Sequence, residues 1–184
     1  IVKAMAAHYA TNPAVAGWQI DNEFGCHGTT RCYCDDCARA FRIWLRRRFG
    51  TLAKLNEAWG TIFWGQEYSD WDQIPLPWVT LKEHNPSLIL DYYRFGSEAM
   101  VSYQNAQVDT IRQLCPGQFI THNMLGRFTE IDHFNLAEKL DFVGWDNYFK
   151  ETTTPADVAL EHDLARSFKH GKDFWVLEEQ CGYV

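Results

Sequence analysis

Residues 16–25 read AGWQIDNEFG, a short apolar-rich run that ends in polar residues. The run follows an Asn-Pro turn signal, and its composition predicts a β-strand over residues 16–21. Asn22 and Glu23 come directly after this strand, so its carboxyl end carries hydrogen-bonding and ionisable groups. Strand ends that carry polar side chains are where α/β proteins build their active sites.

Three further segments repeat this arrangement. Apolar runs each end in polar or aromatic residues, and they cover residues 118–123, 140–148 and 173–179. Amphipathic helical patterns lie between or beside the runs, over residues 37–49, 51–59, 87–114, 132–139 and 155–169. The alternation predicts parallel strands joined by right-handed helical crossovers.

Two α/β architectures fit this order of elements, an open doubly wound sheet and a (β/α)8 barrel. The open sheet is disfavoured because no Gly-rich phosphate loop follows any predicted strand. Polar residues at every strand end favour the barrel, whose active site draws on many strand ends at one face. Four strands make half of such a TIM barrel, so we expect a partial segment, about strands 4 to 7. Residues 1–184 would then form one partial catalytic domain with no second domain.

Composition and charge exclude several classes of protein. A net charge of -7 argues against a nucleic-acid-binding protein, since phosphate neutralisation needs a concentrated basic surface. The chain also contains no apolar run of about 20 residues that could cross a membrane. Aromatic residues make up 15% of the chain, more than a core of this size needs, which favours rings that stack on sugars. The chain begins within a predicted helix, so we expect it to be part of a longer protein. A cytoplasmic location is expected from its cytosol-like composition rather than from its ends.

Two carboxylates predict glycoside hydrolysis. That reaction needs one carboxylic acid to protonate the leaving oxygen and one carboxylate to attack the sugar or activate water. Glu23 and Glu178 lie at the ends of separate strands, and strand ends of a barrel converge at one mouth. Glu179 is the rival of Glu178, but successive strand residues face opposite ways, so only one of them can point into the mouth. Carboxyl groups about 5–5.5 Å apart would predict retention of configuration, and a wider gap would predict inversion.

A cluster of cysteines predicts a zinc site. Cys32, Cys34 and Cys37 can converge as thiolates at the start of a helix around one tetrahedral Zn²⁺. A structural zinc needs four ligands, and Cys26 is close enough in sequence to supply the fourth. We expect such a metal to be structural, and three reduced thiols without a metal are the alternative. The other two cysteines, Cys115 and Cys181, are expected to be ordinary core or loop residues.

Four motifs together resemble a known family. Residues 18–25 (WQIDNEFG), 32–37 (CYCDDC), 145–148 (WDNY) and 175–178 (WVLE) are similar to those of the β-galactosidases of glycoside hydrolase family 42. The similarity covers nearly the whole chain in the same order. An Asn-Glu pair at a strand end is shared by many barrel glycosidases, whereas the cysteine cluster nine residues later is typical of this family.

The resemblance implies roles for individual residues. Glu23 would be the general acid/base, Glu178 the nucleophile, and Asn22 would hold the sugar 2-hydroxyl. Further substrate-site positions are expected at Tyr148, Trp64 and Asn123. Tyr148 would hydrogen-bond the nucleophile, and Trp64 would form a wall of the galactose site.

The resemblance also implies a partner and a metal ligand. Members of the family are often trimers, so a homo-oligomer is expected. Their fourth zinc ligand is a cysteine from an earlier segment, which this chain lacks. Cys181 stands where proline is common, which bears on the shape of the loop after Glu178.

Two classes of function therefore remain. The first is a retaining β-galactosidase, with an α-L-arabinopyranosidase or β-D-fucosidase as its alternative, because these enzymes differ in one wall of the pocket. The second is a zinc-binding interaction module in which the carboxylates have no role. Repeated Trp, Asn and Glu at strand ends favour the enzyme, which would need no organic cofactor.

Overall fold

A computed structural model describes residues 1–171 and 173–180. The chain forms two compact units, a first unit of Ile1–Gly28 with Glu98–Val184 and a second unit of Thr29–Ser97. Cys181 lies outside the described residues. Among the described helices, none is long and apolar enough to pass through a membrane.

The described part of the first unit contains five short strands. They are β1 (Gly17–Gln19), β2 (Phe119–Thr121), β3 (Asn123–Met124), β4 (Val143–Asn147) and β5 (Phe174–Glu179). β1 pairs with β2, and β4 lies between β3 and β5, with every pairing parallel. The predicted strand over residues 118–123 is divided at His122, whose carbonyl oxygen accepts a hydrogen bond from the Gly144 amide at 3.1 Å. The predicted parallel arrangement is confirmed.

The described residues form six α-helices. They are α1 (Val2–Tyr9), α2 (Asp35–Phe49), α3 (Leu52–Trp59), α4 (Pro86–Leu114), α5 (His133–Ala137) and α6 (Pro155–Phe168). Side-chain caps begin α5 and α6. The Asp132 carboxylate accepts the backbone N–H groups of Phe134 and Asn135, which begins α5, and Thr154 and Asp157 form a capping box at α6.

The core of the first unit lies between its strands and helices. Ile20, Ile120 and Val143 come from the strand region and are almost fully buried against Val108 of α4 and Leu136 of α5. All five residues of β4 are buried. A strand that is covered on both faces is typical of a parallel sheet flanked by helices.

The close contact between β4 and β5 determines which of their residues lie opposite each other. A Cβ on Gly144 would overlap the side chain of Leu177, so glycine permits the close approach of the two strands. The pairing then shifts by one residue, since Trp145 pairs with Val176 but Asp146 pairs with Glu178. This β-bulge brings Glu178 opposite Asp146.

The second unit is helical and has its own core. Phe41 and Leu45 of α2 pack with Leu55 and Trp59 of α3 and with Tyr92 of α4. The Trp59 indole N–H donates to the buried Asp91 carboxylate at 2.8 Å. The loop between α3 and α4 contains two short 3₁₀ turns, Phe63–Gly65 and Trp71–Gln73.

Candidate active site

The loop that follows β1 carries Glu23 in an unusual backbone conformation. Asp21 and Glu23 have φ angles of 52° and 39°, a region that residues other than glycine seldom adopt. Side chains hold this shape: the Tyr103 hydroxyl donates to Asp21 Oδ2 at 3.1 Å, and the Asn22 amide N–H donates to Asp21 Oδ1 at 3.1 Å. Strained backbone of this kind persists where the surroundings over-determine it, which is common at active sites.

The buried His122 ring contacts the same loop at two backbone positions. Its Nδ1 lies 2.7 Å from the Ile20 carbonyl oxygen, and the Phe24 backbone N–H lies 3.4 Å from its Nε2. Burial lowers the pKa of His122 to about 4, so the ring is neutral near pH 7. A neutral ring can donate from Nδ1 and accept at Nε2, which fixes both ends of the segment that carries Asn22 and Glu23.

Asn123 is the centre of a hydrogen-bond network. Its side-chain oxygen accepts from Gln19 Nε2 at 3.0 Å and from the Glu23 backbone N–H at 3.1 Å. Its amide nitrogen lies 2.9 Å from Asn22 Oδ1, 2.8 Å from Asp146 Oδ2 and 3.1 Å from Glu178 Oε1. The residue is 0% exposed. One buried amide therefore connects the end of β1 with β4 and β5.

Glu178 rather than Glu179 joins this network. Besides the Asn123 amide, the Tyr148 hydroxyl donates to Glu178 Oε2 at 2.5 Å. This hydrogen bond to the carboxylate raises the pKa of Tyr148 to about 12, so the hydroxyl keeps its proton. Glu179 accepts instead from Asn147 Nδ2 at 3.1 Å. The opposite orientation of the two neighbours agrees with the alternation of strand side chains.

Three carboxyl groups meet at the ends of these strands. One oxygen from each of Glu23, Asp146 and Glu178 lies within 4.8 Å of the others. Two of these residues, Glu23 and Glu178, are the predicted catalytic pair. The thiol of Cys26 also hydrogen-bonds Glu23, and burial followed by this contact raises the pKa of Cys26.

The cysteine cluster lies in the second unit. The sulfur atoms of Cys32, Cys34 and Cys37 lie within 4.8 Å of one another, with Cys32 and Cys34 3.4 Å apart. Cys34 precedes α2, and a hydrogen bond from the Cys37 backbone N–H lowers the pKa of its thiol. Burial raises the pKa of Cys37 to about 12. Cys26 belongs to the first unit, so its assignment as a fourth ligand stays a prediction.

The structure brings together most of the predicted site residues. Those of the first unit form one network: Asn22, Glu23, Asn123, Tyr148 and Glu178. Trp64 belongs to the second unit, where it is 76% exposed in a 3₁₀ turn. Its predicted role as a wall of the galactose site stays a prediction.

Several residues in and around this network had no predicted role, and two of them are deeply buried. His122 and Asp146 both lie within runs that sequence patterns mark as strands, and both are at least nine-tenths buried. Their signal in the sequence is a polar side chain among apolar neighbours at a strand end. The register shift that places Asp146 beside Glu178 has no sequence signal that we can identify.

Comparison with known proteins gives concordant matches. The family model described as "Beta-galactosidase", that of glycoside hydrolase family 42, matches residues 1–184. A curated β-galactosidase of Thermus sp. is 46% identical across 100% of this chain. The crystal structure of a β-galactosidase from the psychrophilic Marinomonas ef1 superposes with a TM-score of 0.93, at 38% identity over 98% of this chain. A β-galactosidase from the haloarchaeon Halorubrum lacusprofundi gives a TM-score of 0.90, at 44% identity over 98% of the chain.

These relatives are longer proteins. The chain spans 31% of the Thermus sequence, and 30% and 29% of the Marinomonas and Halorubrum structures. The predicted fold, a partial segment of a (β/α)8 barrel, is confirmed by these superpositions.

Proposed function

The chain belongs to the β-galactosidases of glycoside hydrolase family 42, and from this premise we propose that the full-length protein cleaves terminal β-D-galactosyl residues with retention of configuration. The observation that carries the proposal is the pair Glu23 and Glu178, whose nearest carboxyl oxygens lie within 4.8 Å of each other. A short separation favours direct attack by the carboxylate, since the carboxyl groups of inverting enzymes stand about 6.5–9.5 Å apart to hold a water molecule.

The reaction proceeds in two displacements. Glu23 gives its proton to the glycosidic oxygen while Glu178 attacks the anomeric carbon, so the leaving alcohol departs and a galactosyl ester forms on Glu178. Glu23, now ionised, takes a proton from a water molecule that attacks the same carbon. The ester bond breaks, galactose leaves, and both carboxyl groups return to their starting state.

The surrounding side chains hold the two carboxyl groups in place. Asn123 contacts Glu178 through its amide nitrogen and the backbone of Glu23 through its oxygen, and its complete burial supports a positioning role over direct sugar contact. The Tyr148 hydroxyl stabilises the ionised nucleophile. Asn22 is exposed beside Glu23 and is proposed to bind the 2-hydroxyl of the sugar.

A substrate panel tests this function on the full-length protein. We expect nitrophenyl β-D-galactoside to give the highest kcat/KM, with the β-D-fucoside and α-L-arabinopyranoside hydrolysed more slowly because each lacks a hydroxyl or hydroxymethyl contact. A higher kcat/KM for either analogue would reassign the preferred sugar. Failure to hydrolyse any of the three would refute the glycosidase proposal.

Substitution of Asn123 tests the positioning network. Asn123→Asp replaces the amide nitrogen with an oxygen that faces the Asp146 and Glu178 carboxyl groups, and we expect kcat to fall by roughly 100-fold or more. Steady-state kinetics on nitrophenyl β-galactoside would measure this. Asn135→Asp makes the same change of charge at an exposed position of α5 and should leave kcat unchanged. Equal activity of the two variants would contradict the positioning role.

We also propose that Cys32, Cys34 and Cys37 hold a structural zinc ion in the full-length protein. The three sulfur atoms are close enough to bind one ion, and the hydrogen bond that lowers the Cys34 pKa favours the thiolate that zinc requires. The fourth ligand would be Cys26 or a residue outside this chain. Zinc would hold the start of α2 and take no part in the reaction.

Metal analysis tests the zinc proposal. The purified full-length protein should contain about one zinc per chain, and Cys34→Ser should lower that content several-fold and lower the melting temperature. Cys115→Ala is the matched control, because Cys115 is buried in the first unit and should not affect zinc content. A wild-type protein without zinc after metal-replete expression would contradict the proposal.

The family also suggests an assembly and a location. We propose a cytoplasmic homotrimer, which sedimentation analysis and cell fractionation of the full-length protein would test. A monomer at micromolar concentration would refute the assembly.

A further inference from the structure

Asp146 is the third carboxyl group at the candidate site. It lies in β4, is 8% exposed, and has no part in the two displacements described above. The β-bulge pairs it with Glu178, and opposed residues of paired strands project to the same face. Its nearest oxygen lies within 4.8 Å of both Glu23 and Glu178.

Only one of its two oxygens has a donor. Asp146 Oδ2 accepts from the Asn123 amide at 2.8 Å. Asp146 Oδ1 is buried and has no hydrogen-bond partner in the part of the chain that the structure describes. The Tyr148 hydroxyl and the Cys26 thiol donate to Glu178 and Glu23 respectively, so neither donor serves Asp146.

A proton on Asp146 resolves this arrangement. An ionised Asp146 would leave a buried oxygen without a donor and would place a second negative charge beside whichever of Glu178 and Glu23 is ionised, which is costly. A protonated Asp146 becomes a donor itself, and the Glu23 carboxyl lies within hydrogen-bonding reach of it. Asn123 then holds Oδ2 as the carbonyl oxygen of the acid, which leaves the buried Oδ1 to carry the hydroxyl.

We propose that Asp146 is a protonated positioning residue for the acid/base, and that it donates a hydrogen bond from Oδ1 to the Glu23 carboxylate. Asp146 keeps its proton throughout the cycle. Its hydrogen bond forms when Glu23 has given its own proton to the leaving oxygen, and it stabilises the ionised Glu23 that must next deprotonate water. This inference rests on the proposed acid/base role of Glu23.

The charges around Asp146 agree with a retained proton. Burial raises its pKa to about 7, the Asn123 hydrogen bond opposes this, and the charges of Glu178 and Glu23 add to the increase. Asp146 also lines a cavity of about 400 Å³ with charged residues, namely Arg127, Lys150, Asp157 and Glu161. Arg127 is paired there with Glu161 at 2.7 Å. The proton is therefore held in acid and lost as the pH rises through about 7.

Two substitutions in the full-length protein test whether Asp146 acts as a protonated hydrogen-bond donor. Asp146→Asn keeps an oxygen for Asn123 and places an N–H where the acid has its hydroxyl, so it imitates the protonated form. We expect its kcat near pH 6 to stay within about threefold of wild type, and the alkaline limb of kcat/KM to move up by about one pH unit. Asp146→Leu removes the donor, and its kcat for nitrophenyl β-galactoside should fall by roughly 100-fold.

Infrared spectroscopy tests directly whether Asp146 is protonated. The wild-type protein near pH 6 should show a carboxylic-acid C=O band that disappears in Asp146→Asn, and melting curves would establish that both variants are folded. A folded Asp146→Asn variant as inactive as Asp146→Leu, an unchanged alkaline limb, or absence of the band would each overturn the inference. The failure of the proposed function looks different, because the wild type itself would then hydrolyse no galactoside.

Discussion

Glu178→Ala in the full-length protein is expected to lower kcat on nitrophenyl β-galactoside by about 10⁴-fold or more, because the other two carboxyl groups of the described cluster, Glu23 and Asp146, are proposed to carry protons and so cannot form the galactosyl ester. Glu178 is held by the Asn123 amide and the Tyr148 hydroxyl, and alanine removes the acceptor that the Tyr148 hydroxyl uses. The loss should appear in kcat with little change in KM, since the nucleophile acts in the transition state.

The neighbouring carboxylate supplies the control for this variant. Glu179→Ala removes the same side chain one residue later, where it contacts only Asn147 among the hydrogen bonds seen. It should keep most of the wild-type kcat. Added azide should restore turnover of Glu178→Ala and give the α-galactosyl azide, because azide enters the space left by the carboxylate. Near-normal activity of Glu178→Ala would show that another residue is the nucleophile.

Glu23→Gln has the second largest expected effect, and that effect depends on the leaving group. With an alkyl β-galactoside the first displacement needs a proton, so we expect kcat/KM to fall by about 10³-fold. With dinitrophenyl β-galactoside the leaving group departs without protonation, and kcat/KM should change little. Glutamine keeps the size of the side chain, which limits disturbance of the loop that holds Glu23 at its positive φ.

In Glu23→Gln the hydrolysis of the galactosyl ester should become the rate-limiting step. The ester on Glu178 should accumulate, since Gln cannot deprotonate water, and a burst of dinitrophenol should precede a slow steady state. Azide should accelerate that steady state and give the β-galactosyl azide. An equal loss of kcat/KM for both leaving groups would contradict the acid/base role.

Hydrophobic pattern was sufficient to predict most of the fold. Runs of apolar residues over 140–148 and 173–179 predicted strands, and β4 and β5 lie within them. The ends of the helices and strands were harder to predict from the sequence, because they depend on caps such as Asp132 at α5 and on pairing with distant strands. The division of residues 118–123 at His122 arises from two different strand partners, which local sequence does not encode.

The sequence predicted most residues of the candidate site but not how they are arranged in space. Residue type and position at strand ends pointed to Glu23, Glu178 and Asn123. The sequence did not reveal that Asn123 is the hub of the network, because its contacts join segments about 100 and 55 residues apart. The bulge that places Asp146 beside Glu178 lies next to the close packing of Leu177 over Gly144. Such effects follow from tertiary contacts rather than local pattern.

The central claim is that Glu178 forms the covalent galactosyl intermediate beside the acid/base Glu23. Treatment of the full-length protein with 2-deoxy-2-fluoro-β-galactosyl fluoride would trap that intermediate, because the fluorine slows its hydrolysis. Tandem mass spectrometry of the digested protein should then find one fluorogalactosyl group on Glu178 and none on Glu179. A label on any other residue, or turnover that yields α-galactose as the first product, would contradict the account.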